Sequence, residues 1–206
     1  MRRVSAAVLS LLAAVGMLVG PVLAEEQAAP VPAVDDTRLN ELTAQYTLLY
    51  QTRAYAQAIP VTEQALAEAE TVFGPDHERV AQVLNDLGRL HELRGELEPA
   101  ARAHERALRI RDRVFNANGP EVAQSLNSLA RVYVAQGRRA EAKPLYERSL
   151  VITDRHVPPE SPMLLFVLEP YAALLRYVGE LDAAMRLEDR IQAIRAAQAE
   201  KTGDSH

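Results

Sequence analysis

The chain contains no cysteine and no tryptophan in 206 residues, only 9 glycines, and 5% aromatics. Without cysteine there is no disulfide, thiol nucleophile or thiolate metal site, so stability rests on packing alone. Lipid attachment through a cysteine behind the N-terminal apolar stretch is excluded for the same reason. Few glycines and few β-branched runs leave little material for a strand-rich fold and predict an all-helical chain. A basic surplus is missing too. Lys and Arg number 23 against 28 Asp and Glu, a net charge of -5, which is not the footprint of a nucleic-acid binder. His91-Glu92 and His104-Glu105 begin as a zinc-protease helix begins, but the fourth residue onward is Gly95 or Leu108 rather than histidine. No phosphate-cradling glycine loop and no Gly-x-Ser-x-Gly elbow occurs. We therefore expect neither enzymatic activity nor a cofactor nor a metal.

The N-terminus does carry a signal. Arg2 and Arg3 precede the apolar residues 4–20, and Val22-Leu23-Ala24 forms a small-residue cleavage site. Residues 1–24 are thus expected to direct export to the periplasm or beyond, with no membrane insertion after cleavage. An uncleaved anchor is the alternative, because the stretch approaches the roughly 17 residues of a short spanning helix. Cleavage would remove two arginines and no acid, taking the charge from -5 to -7. Residues 25–36, EEQAAPVPAVDD, lack apolar periodicity and are expected to form a flexible linker. Residues 200–206 read as a disordered tail.

Between these ends the sequence repeats every 42 residues. In that register Ala58, Ala100, Ala142 and Ala184 share a column, as do Leu42, Leu84, Leu126 and Leu168. Leu66, Leu108 and Leu150 form a third column. Gly95, Gly137 and Gly179 form a fourth, in which Arg53 is the exception. A fixed period of this length signals a solenoid, in which each unit buries its apolar face against its neighbours. The spacing predicts four pairs of helices over residues 37–199. Asp76 is the expected N-cap of the third helix, Gly95 its end, and Gly119-Pro120 and Ser161-Pro162 the starts of the third and fourth pairs. Pro170 falls inside a helix, where it removes a bond to the Phe166 carbonyl and is expected to kink the axis.

Residues 122–133, VAQSLNSLARVY, followed by Gly137-Arg138-Arg139-Ala140-Glu141-Ala142 and residues 145–150, LYERSL, resemble tetratricopeptide repeats of the long, kinesin-light-chain-like type. The joint Gly74-Pro75-Asp76-His77 is similar to that group's inter-repeat turn. The resemblance covers about residues 37–199 and implies a right-handed α-solenoid whose concave face is lined by the first helix of each pair. It also implies groove residues just after the Leu84 and Leu126 column. These are Asn85 and Asn127, with Arg89 and Arg131 one turn further along and Gln82 and Gln124 one turn back, so that two adjacent helices repeat Gln-x-x-Asn-x-x-x-Arg. Asparagine can pair with the backbone of an extended peptide, and arginine offers a fork for a carboxylate. The expected partner is therefore a protein or peptide segment, polar to acidic, bound by an adaptor or assembly factor. The other reading is a solvated face, with Arg89 bridging Glu92 or Asp86. A self-associating solenoid is the alternative function, because Ala183, Ala184, Leu187, Ile191, Ile194 and Ala197 give the last helix an apolar stripe that needs cover.

Overall fold

The computed structural model describes residues 35–203. The expected export signal and most of the expected linker lie outside them. The described chain is an α-solenoid: α1 (Thr37–Gln51), α2 (Tyr55–Phe73), α3 (Glu78–Leu93), α4 (Leu97–Val114), α5 (Pro120–Ala135), α6 (Arg139–His156), α7 (Leu165–Tyr177) and α8 (Leu181–Gly203), with a 3-10 turn at Pro162–Leu164 leading into α7. Each helix packs on the next, and α3, α5 and α7 also touch along the series. Helix α8 runs beyond the boundary expected at residue 199, because the strong helix formers Gln198, Ala199, Glu200 and Lys201 continue it to Gly203.

The 42-residue columns acquire physical meaning here. Ala58, Ala100, Ala142 and Ala184 are all fully buried, and Leu42, Leu84, Leu126 and Leu168 are at most 3% exposed. The alanines let the paired helices approach closely; a larger residue would overpack them. The glycine column closes every first helix in the same way. Gly95 N–H reaches Glu92 O at 2.9 Å and Glu96 N–H reaches His91 O at 2.9 Å. The same pair of bonds recurs around Gly137 and Gly179, and around Arg53, where Arg53 N–H meets Tyr50 O at 3.0 Å and Ala54 N–H meets Leu49 O at 2.8 Å. This is the Schellman closure, which requires a left-handed residue. The glycines take φ of 75°, 81° and 84°, and Arg53 is forced to 58°.

Second helices are tied by a ladder of the same period. Arg106 pairs with Glu70 at 2.5 Å, Arg148 with Asp112 at 2.6 Å, and Arg190 with Asp154 at 2.6 Å. The N-cap of α3 is His77, whose Nδ1 accepts Arg79 N–H, and not Asp76. Helix α3 begins one residue later than the sequence suggested, so Asp76 stands outside the cap and pairs with Arg113. Pro120 opens α5 as expected, and Ser161 Oγ accepts Met163 N–H at the start of the 3-10 turn.

Candidate functional site

The first helices of the pairs line a succession of clefts running from α1 to α7. The central one, of about 210 Å³, is bounded by Asn85, Arg89 and Glu92 of α3, Asn127 and Arg131 of α5, and Phe166 of α7. An adjoining cleft reaches from Thr43 and Tyr46 of α1 across Gln82 to Gln124 of α5. Gln82, Asn85, Arg89, Gln124, Asn127 and Arg131 thus share one face. They arrive there because the 42-residue register repeats each first helix in the same rotational setting.

Most of these side chains already have partners within the protein. Asn85 Oδ1 lies 2.9 Å from His104 Nδ1, and Glu92 Oε1 lies 2.9 Å from His104 Nε2. Arg131 donates to the other Glu92 oxygen at 2.5 Å. A relay therefore runs from Arg131 on α5 through Glu92 to the buried His104 of α4 and back to Asn85 on α3. Gln124 Oε1 accepts from Arg111 at 3.2 Å, and the Arg111 guanidinium, 4% exposed, also binds Glu78 and Ser125. Arg89 lies over the Tyr50 ring at 5.0 Å rather than in the ion pair with Glu92 or Asp86 that the solvated-face reading implies. Gln82 is exposed.

Asn127 is different. The residue is 2% exposed, and its Oδ1 is enclosed without a hydrogen-bond partner. A buried unmatched carbonyl costs about 1–3 kcal/mol, and such exceptions in native folds call for an explanation. A half-turn of the amide would exchange this acceptor for the donor facing the cleft.

Asp86 stands in the same wall. Tyr46 donates to its Oδ2 at 2.7 Å. Asp86 keeps water on its open side, yet the surrounding concave wall desolvates it and raises its pKa above the ordinary carboxylate value. Burial and the Asp86 charge together push Tyr46 upward as well. His104 was visible in the sequence only as a failed metal motif. The signal that could have placed it is Gly88, which lacks the Cβ that would meet its ring. Among the described residues no group of three or more His, Cys, Asp or Glu is arranged to hold a metal, and no helix is long and apolar enough to cross a membrane.

Comparison with known proteins places this geometry. The tetratricopeptide-repeat family model matches residues 47–113 and 102–155, which together span more than half of the chain. No curated protein matches the sequence. Among solved structures, BtubC (BKLC) from P. vanneervenii is similar with TM-score 0.71 and 21% identity over 78% of this chain; the match spans 64% of that longer protein. A putative kinesin light chain from Podosopora anserina with nearly identical TPR-like repeats matches with TM-score 0.69 and 21% identity, covering 83% of this chain and 81% of that one. The Sgt2 TPR domain from Aspergillus fumigatus matches more loosely, with TM-score 0.52 and 17% identity over 75% and 85% of the two chains.

Proposed function

From the premise that this chain belongs to the tetratricopeptide-repeat family, a family of protein-interaction scaffolds, we propose that it is an exported adaptor or assembly factor. It binds an extended peptide or protein segment along the groove of its first helices. The observation that carries this reading is the Asn127 amide, unmatched at Oδ1 within the protein and lining a cleft with Arg89 and Arg131. An extended backbone can pair with the edge of that amide that meets the cleft, because each residue offers one N–H and one carbonyl. Export rests on the sequence pattern of residues 1–24 and is tested by the mass of the mature N-terminus.

The binding test replaces Arg89, Asn127 and Arg131 with Ala and repeats a pull-down from envelope extract. Asn85 is left in place because it holds His104. Partner recovery should fall sharply; undiminished recovery by a folded variant would defeat the groove assignment.

The self-association reading has less support. The apolar stripe expected to need a partner is largely covered within the chain: Ala184, Ile191 and Ile194 are at most 5% exposed. At the other end Arg38, Glu41 and Gln45 occupy columns that hold the buried Val80, Val83 and Leu87 one repeat later. Such a polar outer face is how a solenoid end faces water. Light scattering across a concentration series should therefore return a monomer.

A further inference from the structure

The geometry points to a guest segment that is uncharged and carries one large apolar side chain, seated on Phe166 and Met163 at the α7 end of the groove. This inference rests on the groove reading above and narrows it, replacing the polar-to-acidic guest with a neutral, apolar one.

Three observations converge. First, the charges of the groove are largely matched by one another. Arg131 is held by Glu92, whose other oxygen is fixed by His104, and Arg111 is held by Glu78. An acidic guest would have to displace Glu92 from Arg131, leaving a carboxylate pinned beside it. Arg79 is paired with Asp36, and Arg89 lies over Tyr50.

Second, the repeat pattern breaks in the fourth unit. The column Asn40, Gln82, Gln124 continues to Phe166, the asparagine column continues to Glu169, and the arginine column to Ala173. Glu169 is paired with Arg195. The polar stripe of the middle repeats thus gives way to an aromatic surface carrying no arginine.

Third, that surface is open. Phe166 is 41% and Met163 62% exposed, and with Pro120 and Val157 they wall a cleft of about 380 Å³. Phe166 and Gln124 border both this cleft and the one that contains Asn127. One extended residue can therefore rest its side chain on Phe166 while its peptide group meets the Asn127 amide. Apolar contact and neutral hydrogen bonding, not charge, then select the guest.

The test uses the full-length protein and two pools of fluorescein-labelled peptides about ten residues long, a length suited to extended recognition. One pool has a central Phe, Leu or Met among Ser, Asn and Gln; the other has Asp and Glu in place of the apolar residue. Met163 is 62% exposed, so M163A should melt close to the parent, whereas F166A, whose ring is more than half covered, is used only once a thermal melt shows it folded. The neutral pool is expected to bind, to weaken about tenfold or more in F166A, and to be indifferent to salt between roughly 50 and 500 mM. Preferential binding of the acidic pool that is salt-sensitive, lost in R131A and unmoved by F166A would overturn this inference and leave the groove reading standing. Equal binding of both pools would overturn it too. If neither pool binds, or if binding survives F166A, N127A and R131A alike, both the inference and the groove reading fail.

Discussion

A Cβ on Gly88 would lie 2.7 Å from the imidazole of His104. That contact joins the floor of the groove to the packing of the second repeat. His104 is 1% exposed and bonded at both nitrogens, to Asn85 and Glu92, so the ring cannot swing aside. The same column holds Tyr46 in the first repeat and Ala130 in the third, and the column of His104 holds Thr62 and Tyr146. Large faces small in these three repeats, with the order reversed in the first.

Gly88→Ala should therefore destabilise the protein, although alanine is the better helix former by about 1 kcal/mol. Overpacking typically costs about 1–3 kcal/mol, and here it outweighs propensity. Thermal melts of a double-mutant cycle check this. The Gly88→Ala cost should vanish in a His104→Ala background, and a cost that persists there would show that the ring is not its cause.

Arg53 offers the opposite case. It holds φ of 58° in a column otherwise occupied by glycine at positive φ. Left-handed geometry costs an L-residue about 1–2 kcal/mol, part of which glycine returns through its looser unfolded state. Arg53→Gly should raise stability by about 0.5–1 kcal/mol in chemical denaturation, with an unchanged m-value.

Asn127 should trade stability for binding. Its enclosed Oδ1 lacks a partner, so Asn127→Leu, similar in size, removes an uncompensated polar group. A gain of about 1 kcal/mol is expected, together with loss of peptide binding. A variant that loses stability would show that the amide is satisfied in solution.

Asp86 sets a pH dependence whose sign follows from desolvation. Its folded-state pKa is raised above the ordinary 3.8, so the folded chain holds this proton more tightly than the unfolded chain does. The stabilisation is fully present below the unfolded value and is lost as pH rises through the folded one. Asp86→Asn, which can still accept from Tyr46, should therefore gain stability relative to the parent at pH 7 and lose that advantage below the ordinary carboxylate range. Denaturation of both proteins across that range measures the difference.

The helix pairs and the shared face were legible in the sequence because a 42-residue repeat sets the rotation of every first helix at once. Gln82, Asn85, Arg89, Gln124, Asn127 and Arg131 line the clefts for that reason alone. Their partners were not legible. His104 lies 12 residues from Glu92, and Glu92 lies 39 from Arg131, so no local spacing relates them. Asp76 carries the carboxylate that suits a cap, but the backbone turns into α3 one residue later, at His77. Phe166 gave a signal, as the aromatic break in a column of amides, but its exposure depends on what α5 and the 3-10 turn leave uncovered.

Periodicity alone therefore determined the architecture, since side chains at a constant interval must stack when each unit shelters the next. Which polar groups are spent on one another and which stay unmatched was decided by the fold. Hydrogen bonds between helices depend on angstrom-scale approach, and the close-packed small residues at the crossings set that distance only once the helices have met.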